Sequence, residues 1–179
     1  MRNSFRLESV NRSRGEPAGA GDEEAKMKPI RNSAKAIIIQ EGKILLTKNR
    51  DQFGIFYLFP GGGQEFGEPL NDALSRECME EIGAEIIVEE LVYVREYIGG
   101  NHEFAEWDSD IHQVEFYFMC RLKNTDHPLL NHGTSPDSYQ IGVEWVEIET
   151  LDQIRVYPKQ LGNILKNRRK SGIYLGDMN

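Results

Sequence analysis

The sequence Pro60-Gly61-Gly62-Gly63, followed within a few residues by a helical stretch with three glutamates on one face, constrains this chain more than any other feature. Proline and consecutive glycines end any regular element. Pro69 suits the first helical position, where its missing N–H is not needed, and Gly83 is a natural stop. Glu68, just before Pro69, is placed to cap free backbone N–H groups. Residues 69–82 therefore read as one helix bounded on both sides. At ~100° per residue, Glu77 and Glu81 lie about 40° apart and Glu80 about one-sixth of a turn from Glu77. The three carboxylates share a face, and like charges at this spacing cost an isolated helix roughly 0.2–0.5 kcal/mol per pair. A charge run on a helix is usually a solvated face. Here Leu70 and Leu74 point the same way, so the acids continue the core-facing stripe. Inward-facing carboxylates need a counter-ion. Three oxygen ligands, completed by water and a phosphate oxygen, suit octahedral Mg²⁺.

The glycine loop adds a second part. Gly61, Gly62 and Gly63 permit positive φ and a close backbone approach, and their N–H and C=O groups can meet a phosphate or a metal. A plain tight turn explains a triple glycine equally well, so its value lies in its distance from the acids.

Elsewhere the pattern alternates between strands and helices. Residues 34–40, with the run Ile37-Ile38-Ile39, read as a strand; Glu41-Gly42 is a turn, and residues 43–48 return as the second half of a hairpin. The aromatics Phe53, Phe56, Tyr57 and Phe59 follow. Residues 84–88, 91–97, 111–122 and 143–148 read as strands, 123–140 as a loop, 151–154 as a helical turn and 158–169 as a closing helix. Strands before, between and after two helices imply a mixed sheet with helices packed on it. Residues 1–29 lack apolar periodicity and read as a disordered extension, with Met27 as a candidate natural start; residues 30–179 are expected to form a single domain.

Charge narrows the function. The formal net charge is -8, which disfavours a nucleic-acid duplex or an anionic membrane as the main partner. An acidic protein acting on phosphates needs a divalent cation between the like charges. Cys78 and Cys120 lie in separate segments without metal-ligand spacing and read as reduced, buried small residues. With no apolar run near the ~18 residues of a membrane span and no secretory signal, a cytoplasmic location is expected.

The spacing from Gly62 onward fits G-x5-E-x7-R-E-U-x-E-E-x-G-U, with U apolar. Gly62, Glu68, Arg76, Glu77, Glu80, Glu81 and Gly83 hold the fixed positions, and Cys78 and Ala84 the apolar ones. This pattern over residues 62–84 resembles the signature box of the Nudix hydrolases. The apolar slots depart mildly, being smaller than the usual Leu, Ile or Val. The wider resemblance runs over about residues 30–170. It implies an α+β fold, an α/β/α sandwich around a mixed β-sheet. It also implies metal-dependent hydrolysis, with Mg²⁺ or Mn²⁺, of a phosphoanhydride bond. The substrate would be a small molecule: a nucleoside di- or triphosphate, or a nucleoside diphosphate-linked compound such as ADP-ribose or a modified dNTP. By the same resemblance Glu80 and Glu81 ligate metal, Glu77 is a ligand or the general base, and the carbonyl of Gly61 can join them. Glu68 and Arg76 orient the helix and its acids, and Gly62, Gly63 and Tyr57 are the substrate-binding candidates. A Nudix-fold nucleotide sensor that binds without cleaving, and an interaction module with a chance motif, are the competing readings. The oligomeric state is open.

Other residues keep two readings. Glu115, on a face with Gln113 and Tyr117, is a further ligand or a solvent-facing strand residue. Asp137 in Asp137-Ser138-Tyr139-Gln140, and the acids Glu103, Glu106, Asp108 and Asp110 in residues 99–110, are also candidates for a fourth ligand or the base. His102 and His112 lack metal-site spacing. Tyr97 and Trp107 are stacking or core aromatics. The run Lys166-Asn167-Arg168-Arg169-Lys170 reads as a solvated helix end, with RNA contact as the minor alternative.

Overall fold

The computed structural model describes residues 28–124, 133–167 and 172–179. The expected N-terminal extension, except for Lys28 and Pro29, lies outside the described residues, as do Met27 and Arg168 to Lys170.

Strand β1, Arg31–Gln40, turns at Glu41 (φ 50°) and Gly42 (φ 79°) into β2, Lys43–Asp51. Two successive left-handed residues match the twist of a two-residue hairpin. The hairpin is short-lived: only Ile39↔Ile44 and Gln40↔Lys43 pair before the strands part. β2 continues antiparallel to β3, Gly54–Leu58, along one edge and to β6, Gln140–Glu147, along the other. β1 instead runs parallel to β5, His112–Leu122. Helix α1, Leu70–Ile82, precedes β4, Ile86–Ile98, which pairs antiparallel with β5. After β4 come a short helix α2, Ala105–Asp108, and, beyond β6, a 3₁₀ turn at Ile148–Gln153. Strand β7, Val156–Tyr157, helix α3, Lys159–Lys166, and strand β8, Tyr174–Asp177, complete the chain. The sheet order is β7-β3-β2-β1-β5-β4-β8, with β6 on β2.

The alternation of the strands sorts the core onto two faces. Ala34, Ala36 and Ile38 of β1 and Phe118 and Cys120 of β5 meet Leu74, Cys78 and Ile82 of α1. Ile37, Tyr117, Ile44 and Leu46 face the other way, toward Leu161 of α3 and Leu151 and Val156. A mixed sheet thus lies between two helical layers, as expected. Among the described residues no helix is long and apolar enough to cross a membrane.

Several expectations change. The two strands expected over 84–88 and 91–97 are one, broken in register near Val88 to Tyr93. β3, β7 and β8 are additional, each of five residues or fewer; β3 folds back on β2, while β7 and β8 find their ladders on the remote strands β3 and β4. Glu68 does not cap α1: Pro69 is the N-cap and receives no side-chain bond. The Glu68 carboxylate turns back to the Glu65 N–H (3.0 Å) and to Arg76. Gly83 ends the helix at φ 67°, as its position predicted.

Candidate active site

The glycine loop is zipped onto β1. Ala34 N–H donates to the Gly62 carbonyl (2.9 Å), Ala36 N–H to that of Pro60 (2.8 Å), and the Ser33 hydroxyl also to Gly62 (2.9 Å). Gly61 has φ 121°, and a Cβ there would stand 2.2 Å from the Ala34 carbonyl oxygen, so only glycine fits. This places the loop against α1. The Gly61 N–H donates to Glu81 Oε2 at 2.8 Å, and a Cβ on Gly62 would fall 2.5 Å from the Glu77 carboxylate. Lys35 Nζ hydrogen-bonds the Gly61 carbonyl.

Arg76 binds loop and helix together. Its guanidinium grips Glu68 through Nε and Nη2, each 3.0 Å, gives a second Nη2 bond to the Gly63 carbonyl (3.0 Å), and meets Glu77 at 2.8 Å and Glu80 at 3.6 Å. This pairing holds the Glu68 carboxyl below its usual range. A planar fork is suited to such a multiple grip, and a lysine is not.

The three acids differ in setting. Glu81 shares the buried stripe of α1 with Leu74 and Cys78 and is 8% exposed; the side chain of Glu80 is 37% exposed. Burial pushes the Glu81 carboxyl up to about 7, against the opposing pull of Lys35 and the Gly61 N–H, and the charges of Asp137 and Glu77 add to the rise. Glu68, Arg76, Glu77, Glu80, Glu81, Gly61, Gly62 and Gly63 are thus brought to one corner of the fold. Among the described residues, however, no three His, Cys, Asp or Glu side chains converge on a point that could hold a metal ion. Glu77 and Glu80 are instead engaged by Arg76, and Glu81 accepts the Gly61 N–H.

The C-terminus of α1 is covered by the 133–140 segment, which the sequence presented as loop with Asp137 as a candidate ligand. Gly133, Thr134 and Ser135 give N–H bonds to the carbonyls of Glu81 (3.2 Å), Met79 (3.5 Å) and Glu80 (3.0 Å), and the buried Gln140 amide bonds the Glu81 carbonyl at 2.6 Å. Gly133 packs so closely that a Cβ would lie 1.8 Å from the Glu80 oxygen. Lys35, Gly133 and Gln140 carried no local signal, because their roles arise only from contacts far apart in sequence.

Two expectations outside the box are corrected. Tyr57 is not a stacking surface: it is buried in the core and gives its hydroxyl to Glu144 (3.1 Å). Its strand neighbours Phe56 and Leu58, on the opposite face, line a cavity of about 680 Å³. Glu115 is neither solvent-facing nor a free ligand. It is buried against Arg95 (2.6 Å), with further bonds from the Tyr117 hydroxyl and the Gln113 amide (2.7 Å). Burial would raise its carboxyl, but Arg95, Lys35 and these bonds hold it below the usual range. Asp137 stays near enough to act on Glu81. Of the 99–110 acids, Asp108 accepts the Tyr97 hydroxyl (2.7 Å) and Asp110 pairs with Lys28. His102 contacts Asp177 (2.6 Å) and stacks on Tyr97, and His112 contacts Glu96 (3.1 Å).

Comparison with known proteins identifies the family. The family model of the NUDIX domain matches residues 29–167. The nucleoside triphosphatase NudI of Salmonella agona is 31% identical over 101 residues, covering 50% of this chain and 67% of that protein. A NUDIX hydrolase from Nitrosomonas europaea superposes with TM-score 0.60 at 20% identity, over 78% of this chain and 90% of that one. An ADP-ribose pyrophosphatase from Streptococcus suis gives 0.54 at 17% identity, over 83% and 98%.

Proposed function

Because the chain belongs to the Nudix hydrolase family and is a Nudix-type pyrophosphohydrolase, we propose that it cleaves the phosphoanhydride bond of a nucleoside triphosphate or nucleoside diphosphate-linked substrate. ADP-ribose and modified dNTPs are the leading members of that class, and Mg²⁺ or Mn²⁺ is the metal. The reading rests on one observation: the glycine loop is pressed onto the acidic helix, with the Gly61 N–H on Glu81 and Gly62 against Glu77.

The donor set fits a hard divalent cation. Glu81, Glu77, Glu80 and the Gly61 carbonyl offer only oxygen. Glu81 also sits buried beside two further negative groups, Asp137 and Glu77, which raise its proton affinity in the absence of a cation. Bound there, the cation neutralises phosphate charge and lowers the pKa of a water. The chain's own residues do the positioning. Glu68 and Arg76 hold the loop and helix in register. Lys35 places a positive charge at the Gly61 carbonyl, where it would help offset phosphate charge. Glu77 serves as ligand or proton acceptor once it leaves Arg76. The free, buried Cys78 and Cys120 suit a reducing compartment, and a cytoplasmic location is part of this proposal.

The test is a turnover screen across ADP-ribose, oxidised and methylated dNTPs and dinucleoside polyphosphates, with Mg²⁺ and Mn²⁺, on the wild type and Glu80→Gln. Metal-dependent release of a nucleotide product is expected, lowered at least ~100-fold in the variant, as loss of a ligand costs several kcal/mol of transition-state stabilisation. Wild-type rates in a folded Glu80→Gln protein would overturn the site. Tight nucleotide binding without turnover would favour the sensor reading.

A further inference from the structure

We infer that Arg31, with Lys35 beside it on β1, reads the doubly charged terminal phosphate of the substrate, so that this chain favours nucleotides ending in a free phosphate over diphosphate-linked compounds capped at both ends; the inference rests on the proposed hydrolytic function.

Register places both cations. In the parallel pair of β1 and β5, Arg31 stands opposite Gln113, Ser33 opposite Glu115 and Lys35 opposite Tyr117. Alternate residues of a strand share a face, so Arg31, Ser33 and Lys35 project together. The glycine loop runs antiparallel along β1, with Gly63 bridged to Ser33, midway between the two cations. A Cβ on Gly63 would stand 3.0 Å from Arg31 Nη2, and one on Gly62 would stand 2.5 Å from the Glu77 carboxylate. Lys35 Nζ meets the Gly61 carbonyl. Two positive groups therefore border the same three glycines that the acidic helix borders.

The neighbouring cations are already matched by carboxylates: Arg76 by Glu68, Glu77 and Glu80, Arg95 by Glu115, and Arg155 by Asp51. Among the described residues no carboxylate lies within ion-pair distance of Arg31 or Lys35. Lys35 gives one of its three donors to Gly61, and Arg31, exposed at the start of β1, keeps its guanidinium fork. Arg31 also borders a concavity of about 540 Å³ with Asn32, Gln64 and Glu65. The Asn32 and Gln64 amides bond each other (3.1 Å), and the Glu65 carboxylate does not reach the guanidinium. In a chain of net charge -8, two cations left without an acid at the acidic corner stand where an anion can dock.

The charge on each phosphate decides which anion gains most. A terminal phosphate monoester carries about −1.5 to −2 at pH 7, whereas a phosphate bridged on both sides has a single ionised oxygen. An arginine fork holds two oxygens of one terminal group at once, and charge-assisted bonds of this kind are about twice as strong as neutral ones. In ADP-ribose both phosphates are bridged and neither offers that extra charge. The acids on α1 act in the same sense: they repel every phosphate, so a residue that rewards only the terminal dianion has a large effect on which nucleotide is held.

Titration calorimetry in Mg²⁺ tests this without requiring turnover. The probes are non-hydrolysable methylene analogues of ATP, GTP, CTP and UTP, each with and without a methyl ester on the terminal phosphate. At least one free-ended analogue should bind, and its methyl ester should bind the wild type about tenfold more weakly, on the scale of one charge-assisted bond. Arg31→Gln should weaken the free-ended analogue about tenfold and the ester much less, so that the two losses are not additive. Arg31→Lys should regain part of the loss, and Lys159→Gln, the same charge change on α3, should leave the preference for the free end in place. Binding of none of the analogues, equal affinity of the wild type for free end and ester, or an equal loss for both in Arg31→Gln would each overturn the assignment. A preference for the free end that depends on Arg31, in a protein that turns over no phosphoanhydride, would uphold the phosphate reader and reject the hydrolytic reading alone.

Discussion

Replacing Glu81 by glutamine should abolish activity and at the same time stabilise the metal-free protein at alkaline pH. The carboxyl is buried, and its pKa rises from an ordinary 4.5 to about 7 on folding. The native state therefore holds a proton that the unfolded chain has released between those two values. Stability contributed by this group is intact below about pH 4.5 and is lost as pH rises toward 7. A displacement of this size, at 1.36 kcal/mol per pKa unit, makes the ionised side chain a liability of about 3 kcal/mol above pH 7. Glutamine carries no charge and can still accept the Gly61 N–H, so it removes most of that liability. For a domain of this length the gain is worth several degrees in Tm. The assay is a set of thermal melts of wild type and Glu81→Gln in chelator, from pH 5 to 8. The gap should be largest at pH 8 and shrink toward pH 5. A variant that melts at or below the wild type at pH 8, or a gap that does not change with pH, would refute the reasoning.

Two further outcomes follow from the same geometry. Gly133→Ala should lower Tm by several degrees, because its Cβ would lie 1.8 Å from the Glu80 backbone oxygen and overpacking costs typically 1–3 kcal/mol; Gly100→Ala, with nothing nearer than 4.0 Å, is the control, and equal melts for the two would refute the contact. Excess Mg²⁺ should raise the Tm of the wild type by several degrees, since binding adds about 2.7 kcal/mol of stability at a hundredfold excess over Kd, and raise it less in Glu77→Gln if that residue is a ligand; no shift in the wild type, with or without a non-hydrolysable nucleotide, would count against the metal site.

Local signals placed the elements of the candidate site and failed on its supports. The limits of α1 were legible to within a residue, since Pro69 and Gly83 act through their own backbone preferences. The turn at Glu41-Gly42 was legible for the same reason, but the parting of β1 from β2 was not, because it is set by the remote partners β5 and β6. Tyr57 was misplaced by strand parity: one residue along, Phe56 faces the cavity, and composition does not reveal which face is buried. Glu68 looked like a cap because it precedes the helix, and Arg76, two turns later, won it by offering two charge-assisted bonds. Glu115 was ambiguous until its partner Arg95 appeared on the neighbouring strand.

The end of α1 shows how the fold keeps an acidic site acidic. A helix C-terminus carries about half a negative charge, and proteins commonly balance it with Lys or Arg in the last turn. Here the last turn has no basic residue and instead holds Glu80 and Glu81. The carbonyls of Met79, Glu80 and Glu81, free of partners within the helix and covered by the 133–140 segment, need donors, since unpaired buried carbonyls are costly. The 133–140 segment supplies them as neutral groups, three backbone N–H and the Gln140 amide. The hydrogen-bonding requirement is met without importing a positive charge, so the helix end and its carboxylates keep their combined negative potential. A cationic cap would satisfy the same carbonyls and weaken the attraction for a divalent ion. The neutral cap ends at Gln140, next in sequence to the cavity residue Tyr139.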